Sequence, residues 1–171
     1  MDLADFPPFY TLQPVLATRE KQLALWRQVI LASVPPSAAT AVIDISLFAK
    51  FENAQISRKL DLESRRVVCE SVISTGFGEW EDPTTRTLLR VYSKTPEAIA
   101  AAVYEFANQA GLVGQEISTF YELHSGESVE GTELFGINPD LLLKALKTLE
   151  SKGKLFLYPG TTLDEMGVKF A

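Results

Sequence analysis

An internal repeat at an offset of 77 residues limits the folds that are open to this chain. Asp61 and Asn138 each precede a helical pattern, and Gly76 and Gly153 follow these patterns 15 residues after the cap. Aspartate and asparagine are common N-cap residues, and glycine supplies the left-handed turn after a helix. The repeat therefore predicts that two copies of one structural unit account for most of the 171 residues.

Each copy is predicted to begin with a longer helix, followed by a strand, two further helices and a pair of strands. Thr18 opens the first helix, and Thr95, with Pro96 at the first helical position, opens the second. The predicted strands are 41–45, 77–81 and 87–92 in the first copy, and 118–122, 154–158 and 168–170 in the second. Residues that are typical of turns separate the last two predicted strands of each copy. This order of elements is that of a winged helix.

The predicted fold class is therefore α+β, mainly helical, with two tandem winged-helix domains and an extended proline-rich N-terminal segment. We assign residues 1–17 to this segment, which we call the head, and expect it to dock on a protein surface. The first winged-helix domain is predicted over 18–94 and the second over 95–171.

The head combines prolines with large apolar side chains. Proline fixes φ and has no amide hydrogen to donate, so we expect an extended conformation close to polyproline II. Because exposed aromatic side chains are unfavourable in water, the head either packs on its own domain or docks in a groove of another protein. The candidate partner-binding residues are Phe6, Pro7, Pro8, Phe9, Tyr10, Leu12 and Pro14.

The charge distribution bears on nucleic-acid binding, which many winged helices carry out. Residues 1–95 hold 11 Lys/Arg and 11 Asp/Glu, whereas residues 96–171 hold 5 and 11. No Lys or Arg lies between Lys94 and Lys144. Because nucleic-acid affinity depends largely on basic residues that neutralise phosphates, the second copy would repel a duplex. We expect no nucleic-acid partner and interpret both winged helices as protein-binding.

The sequence offers little catalytic chemistry, and the chain is predicted not to be an enzyme. The one cysteine, Cys69, falls on an apolar helix face and is expected to be a core residue. The one histidine, His124, is expected in a surface loop. Together they cannot form a zinc site, and no phosphate-binding or dinucleotide-binding loop is present in the sequence. No catalytic, metal or cofactor-binding residue and no cofactor is predicted.

The sequence start and the hydropathy pattern bear on location. Asp2 and Asp5 lie where a secretory signal would carry positive charge, and a single cysteine allows no internal disulfide. The longest uncharged run, 28–43, is short and contains two prolines. These features predict a soluble protein of a reducing, intracellular compartment.

Several motifs resemble those of the vacuolar protein-sorting-associated protein 25 family, the small subunit of the endosomal sorting complex ESCRT-II. The resemblance runs from about Phe6 to Phe170 and is most specific at its two ends. The matching segments are Pro7–Pro14 (PPFYTLQP), Thr18-Arg19-x-Lys21-Gln22 with Trp26, Leu60, Gly78–Trp80, Phe135–Ile137, Leu141–Leu146 and Gly167–Phe170.

The resemblance implies a non-catalytic scaffold role in the multivesicular body pathway of vacuolar protein sorting. Two copies of this subunit would join one copy each of two larger ESCRT-II subunits, with the head and first winged helix binding the larger subunits. The second winged helix would recruit an ESCRT-III subunit for sorting of ubiquitinated cargo. The protein would then be cytoplasmic, recruited to the endosomal membrane, and peripheral to it through its partners only.

Two alternatives remain open at this stage. A DNA-binding winged-helix transcription regulator would show an affinity that falls steeply with salt. A WW-domain ligand is the other alternative, because Pro7-Pro8-Phe9-Tyr10 fits the Pro-Pro-x-Tyr pattern.

Overall fold

The computed structural model of the chain describes residues 2–35 and 40–171. The chain divides into two compact units, Met1–Ser93 and Lys94–Ala171. Each unit contains a three-stranded antiparallel sheet with helices packed against it.

Over residues 2–35 and 40–93, unit 1 contains two α-helices and five strands, together with short 3-10 helices. The helices are α1 (Leu16–Leu31) and α2 (Leu62–Ser74). The strands are β1 (Thr40–Asp44), β2 (Glu52–Asn53), β3 (Arg58–Lys59), β4 (Gly78–Trp80) and β5 (Leu88–Tyr92). The sheet has the order β1-β5-β4, and β2 pairs separately with β3.

The core of unit 1 lies between α1, α2 and the sheet. Trp26 and Ile30 of α1 are completely buried, as are Val68 and Val72 of α2. Asp61 starts α2 by accepting a hydrogen bond from the backbone N–H of Ser64, as its N-cap position predicts.

Unit 2 has the same sheet topology, but its first strand is shorter and a short α-helix takes the place of the β2-β3 pair. Its helices are α3 (Pro96–Gln109), α4 (Phe120–Ser125) and α5 (Pro139–Ser151). Its strands are β6 (Ser118–Thr119), β7 (Leu155–Tyr158) and β8 (Gly167–Phe170), in the order β6-β8-β7. In both units the strand that comes last in the sequence is therefore the central strand of the sheet. This follows because the second strand of the C-terminal hairpin also pairs with the first strand of the unit. The predicted α+β class with two tandem winged helices is confirmed.

The predicted strand 118–122 is largely wrong. Only Ser118 and Thr119 pair with β8, and the chain then turns into α4. The side chain of Thr119 accepts a hydrogen bond from the N–H of Glu122, so this threonine acts as a helix N-cap. His124 consequently lies in a helix and is half-buried, whereas the sequence predicted a surface loop.

Two predictions for the N-terminal region need correction. The first helix begins at Leu16, two residues before the predicted start at Thr18, with Val15 at the N-cap. The head is not continuously extended, because Leu3–Asp5 and Pro7–Tyr10 form short 3-10 helices. Proline is compatible with a first helical turn, where its missing N–H would have no intrahelical acceptor. The prolines therefore exclude a long helix here but not a single turn.

Candidate partner-binding surface

The seven predicted partner-binding residues of the head are split between the core of unit 1 and its surface. Phe9 and Tyr10 are 5% and 4% exposed, so they belong to the core. Leu12 is half-buried. The exposed residues are Phe6, Pro7, Pro8 and Pro14. The structure therefore brings only part of the predicted set to a surface that a partner can reach.

Aromatic stacking fixes the buried part of the head. The ring of Phe9 lies parallel to that of Trp26, with centroids 4.1 Å apart and an interplanar angle of 3°. Tyr10 meets the same tryptophan edge to face at 5.9 Å. Such pairs contribute about 0.5–1.5 kcal/mol beyond the area that they bury. Trp26 is thus the aromatic residue of α1 on which the buried part of the head packs.

Gln22 holds the backbone of the head by hydrogen bonds. Its side-chain amide Nε2 donates to the carbonyl oxygens of Phe9 (3.1 Å) and Thr11 (2.8 Å). Its Oε1 accepts from the backbone N–H of Gln13 at 3.0 Å. Gln22 is only 6% exposed, and a buried amide is costly unless it is hydrogen-bonded in this way. The glutamine therefore fixes the path of the chain from Phe9 to Gln13.

Three further side chains hold the backbone of the head. Trp26 donates its indole N–H to the carbonyl of Phe9 at 3.1 Å, and Arg19 donates to the carbonyl of Gln13 at 2.8 Å. At the other end, Asn53 donates to the carbonyl of Ala4 at 2.8 Å. Because these bonds are made to backbone groups, they fix the position of the head independently of its own side chains.

Tyr10 is also held at its polar end. Its hydroxyl donates to the carbonyl of Ala4 at 2.8 Å, and burial raises the pKa of Tyr10. A WW domain binds a polyproline II peptide whose tyrosine is free to enter the domain. Pro7–Tyr10 instead forms a 3-10 turn with its tyrosine in the core. This geometry speaks against the WW-ligand alternative.

The helix positions that a DNA-binding winged helix would use are occupied by internal contacts. Arg65 of α2 is 6% exposed and donates to the carbonyls of Leu60 and Ile45, both at 2.8 Å. Arg66 forms an ion pair with Glu63. Both arginines of α2 are therefore engaged by contacts within unit 1.

The cysteine and the histidine both take part in the packing and the side-chain contacts of the fold. Cys69 is completely buried, as predicted, and burial raises the pKa of its thiol to about 12. His124 Nε2 lies 2.8 Å from Asp164 Oδ1, and its Nδ1 lies 2.6 Å from Ser125 Oγ. The contact with Asp164 connects α4 to the turn that precedes β8. Over residues 2–35 and 40–171, no group of three or more His, Cys, Asp or Glu side chains is placed to hold a metal ion.

None of the helices within residues 2–35 and 40–171 combines the length and the apolar character needed to cross a bilayer.

The sequence interpretation missed the residues that hold the head. Gln22 and Asn53 were not assigned a role from the residues alone, although Gln22 lies four positions before Trp26 on the buried face of α1. A polar residue at a buried helix position requires a hydrogen-bonding partner, and this requirement was the available signal. The identity of that partner, which is a backbone segment from earlier in the chain, is not encoded in any local pattern.

Comparison with known proteins places the chain among endosomal sorting proteins. The family model for the ESCRT-II complex subunit matches residues 3–138. A relative from Arabidopsis thaliana, vacuolar protein sorting-associated protein 25, is 38% identical and aligns over 98% of this chain and 92% of its own length. The Mus musculus protein of the same name is 34% identical over 96% of this chain and 93% of its own.

Solved structures show the same fold. The crystal structure of subunit VPS25 of the endosomal trafficking complex ESCRT-II has a TM-score of 0.73 and 20% identity, covering 100% of this chain and 98% of that one. A chain in the crystal structure of endosomal complex ESCRT-II (VPS22/VPS25/VPS36) has a TM-score of 0.70 and 21% identity, with the same coverage.

Proposed function

Since the chain belongs to the ESCRT-II complex subunit family, and its relatives are vacuolar protein-sorting-associated proteins 25, we propose that it is the small, non-catalytic scaffold subunit of an ESCRT-II complex. Two larger subunits are its partners, by analogy with the VPS22 and VPS36 named in a related complex. Two copies of this chain join one of each larger subunit. Assembly takes place in the cytoplasm, and the partners carry the complex to the endosomal membrane.

The observation that carries this proposal is the way in which unit 1 presents the head. Gln22, Trp26 and Arg19 fix its backbone, while Phe6, Pro7 and Pro8 face outward on the fixed turn. A preorganised apolar surface loses little conformational entropy on binding, which favours a stable interface. The proposed contact with the larger subunits is therefore the outer side of the docked head together with the neighbouring surface of unit 1.

In this proposal the two units bind different partners. The head (1–17) and the first winged helix (18–94) bind the larger subunits, and the second winged helix (95–171) recruits an ESCRT-III subunit that sorts ubiquitinated cargo into multivesicular bodies. The acidic character of residues 96–171 supports a protein partner, because it disfavours nucleic acid.

Removal of the head would not test this function cleanly. Deleting residues 1–14 would also remove Phe9 and Tyr10 from the core of unit 1. A substitution on the outer side of the head avoids this problem. Pro7→Glu places a charge at an exposed position, and Val67→Glu places the same charge at an exposed position of α2, where the side chain is 38% exposed.

The experiment is co-expression of the tagged chain with the two larger ESCRT-II subunits of the same organism. We expect the wild-type chain and Val67→Glu to co-purify with both larger subunits, in a complex whose mass fits two copies of this chain. Pro7→Glu should keep its thermal transition but lose the larger subunits. A wild-type chain that brings down neither larger subunit would refute the scaffold function.

The role of the second unit needs its own measurement. Binding of the purified ESCRT-III subunits to residues 94–171 and to the full chain is compared by titration calorimetry. Equal affinities would support recruitment through the second winged helix, and binding by the full chain alone would place the site elsewhere.

A further inference from the structure

One edge of the sheet in unit 2 is covered by a charged side chain from the preceding helix. Strand β7 lies at the outside of this sheet, because the strand order is β6-β8-β7. The backbone N–H of Leu157 in β7 donates to Oε2 of Glu150, in α5, at 2.9 Å. An edge strand is a template for pairing with another chain, and natural proteins protect such edges with charged side chains. Glu150 has the position of such a protecting charge.

The ladder between β7 and β8 shows which backbone groups face the free edge. The carbonyl of Lys154 accepts a hydrogen bond from the N–H of Ala171 at 3.0 Å, so Lys154 faces β8. Residues of an antiparallel strand face their partner strand alternately. Leu155 and Leu157 therefore direct their backbone groups away from β8, toward the free edge. The N–H group that the carboxylate binds is thus one that an added strand would use.

A tight turn after α5 places Glu150 beside β7. Gly153 has a φ of 71°, and its N–H donates to the carbonyl of Glu150 at 2.9 Å. The N–H of Lys154 donates to the carbonyl of Leu149, also at 2.9 Å. The strand consequently runs back beside the last turn of the helix, and the glutamate side chain reaches its middle.

Without this carboxylate the edge of β7 would be complementary to itself. Its two outward-facing residues, Leu155 and Leu157, lie symmetrically about Phe156. In an antiparallel pair of two β7 strands centred on Phe156, the N–H of Leu157 in each copy would reach the carbonyl of Leu155 in the other. The two Phe156 side chains, each 52% exposed, would lie directly opposite each other, where aromatic pairs stabilise a sheet. A second copy of the chain is therefore the partner that fits this edge.

We propose that Glu150 keeps the edge of β7 closed and thereby prevents two copies of the chain from pairing through unit 2. Pairing would take the N–H of Leu157 away from the carboxylate and desolvate that carboxylate at the new interface. Because a desolvated, unpaired carboxylate is costly, the closed edge is favoured. Glu150 acts in the free chain, so its role is independent of the scaffold function. In the proposed complex, which contains two copies, the same contact would prevent a wrong pairing between them.

The test measures self-association of the full-length chain by sedimentation velocity over a series of concentrations. Glu150→Ala removes the carboxylate, and alanine is well tolerated in a helix. The control is Glu105→Ala, the same change at an exposed glutamate of α3 that also accepts one hydrogen bond, from Gln109 at 2.9 Å. Thermal unfolding of all variants checks that the chain remains folded.

We expect wild type and Glu105→Ala to remain monomeric, and Glu150→Ala to double its mass as the concentration rises. Hydrogen exchange identifies the surface that pairs. The amide of Leu157 should exchange faster in dilute Glu150→Ala than in wild type, and it should become protected in the concentrated variant.

A second substitution distinguishes strand pairing from general apolar association. Phe156→Lys should return Glu150→Ala to a monomer, because it places like charges opposite each other in the paired strands. Phe135→Lys makes the same change at a phenylalanine that is 50% exposed and lies outside the sheet. Glu150→Ala should still form a dimer when it carries Phe135→Lys.

Three results would overturn the role of Glu150. The first is a Glu150→Ala variant that stays monomeric at every concentration. The second is a wild-type chain that dimerises with protection of the Leu157 amide, because the edge would then be open in spite of the carboxylate. The third is a Glu150→Ala dimer in which exchange at Leu157 does not change with concentration, because the contact would then lie elsewhere. Co-purification with the larger subunits tests the scaffold function separately.

Discussion

Replacement of Gln22 by leucine tests how strongly the head is held on unit 1. The two protons of the Gln22 amide are shared among the carbonyls of Phe9, Thr11 and, at 3.3 Å, Pro8, and Oε1 accepts from the N–H of Gln13. The change therefore removes the equivalent of three hydrogen bonds. At about 1 kcal/mol each, these bonds total about 3 kcal/mol. The buried leucine recovers about 1 kcal/mol through its apolar surface. We therefore expect unit 1 to lose about 2 kcal/mol of its free energy of unfolding.

The control is Gln28→Leu, which makes the same substitution at an exposed position of α1. Surface changes of this kind usually stay within about 0.5 kcal/mol. Urea unfolding followed by tryptophan emission reports on unit 1 alone, since both tryptophans of the chain, Trp26 and Trp80, lie there. A Trp80→Phe background isolates the signal of Trp26, which stacks on Phe9.

Hydrogen exchange gives a second readout of the same substitution. The amides of Phe9 to Gln13 should exchange faster in Gln22→Leu than in Gln28→Leu if the head detaches locally before unit 1 unfolds. Equal urea midpoints together with equal exchange rates would show that the amide of Gln22 does not hold the head.

Four further predictions concern burial and stability. Arg65→Met leaves two buried carbonyls without a donor and should cost about 2–4 kcal/mol in urea unfolding, whereas Arg58→Met, at an exposed position, should cost little. Cys69 should resist Ellman's reagent in the native chain and react once urea unfolds it; rapid native labelling would contradict its burial. Because its pKa is raised from 9.0 to about 12, the Cys69 contribution to stability is complete below pH 9.0 and is lost as pH rises toward 12, so Cys69→Val should show a shallower alkaline decline. Gly167→Ala would bring its Cβ to 2.9 Å from Ile117 Cγ2 and should lower the stability of unit 2 by about 1–3 kcal/mol.

Helix caps and glycines made much of the fold predictable from the sequence. The predicted caps Asp61, Thr95 and Asn138 each accept a hydrogen bond from a first-turn N–H of the expected helix. Gly76 and Gly153 have φ values of 85° and 71°, the left-handed conformation that ends these helices. These signals act over one turn of chain, so a single sequence is sufficient to detect them.

The head was harder to predict because its conformation depends on distant residues. Composition predicts an apolar segment with little α-helix but cannot say which side chains face inward. Phe9 is buried and Phe6 is exposed, because Trp26 and Gln22 of α1 bind the backbone of the head at Phe9. A pattern within residues 1–14 contains none of this information, and the seven candidate residues consequently divided into two groups.

The repeat shows which features of α1 allow it to hold the head. At the offset of 77 residues, the positions of Gln22 and Trp26 in α1 correspond to Ile99 and Val103 in α3. Both are buried, at 3% and 0% exposure, so the two helices use the same face. In α3, however, that face carries aliphatic side chains, which cannot donate hydrogen bonds to a backbone segment. The hydrogen bonds that Gln22 and Trp26 donate to the head therefore have no counterpart at the corresponding positions of α3. A partner that recognises the docked head must therefore bind unit 1.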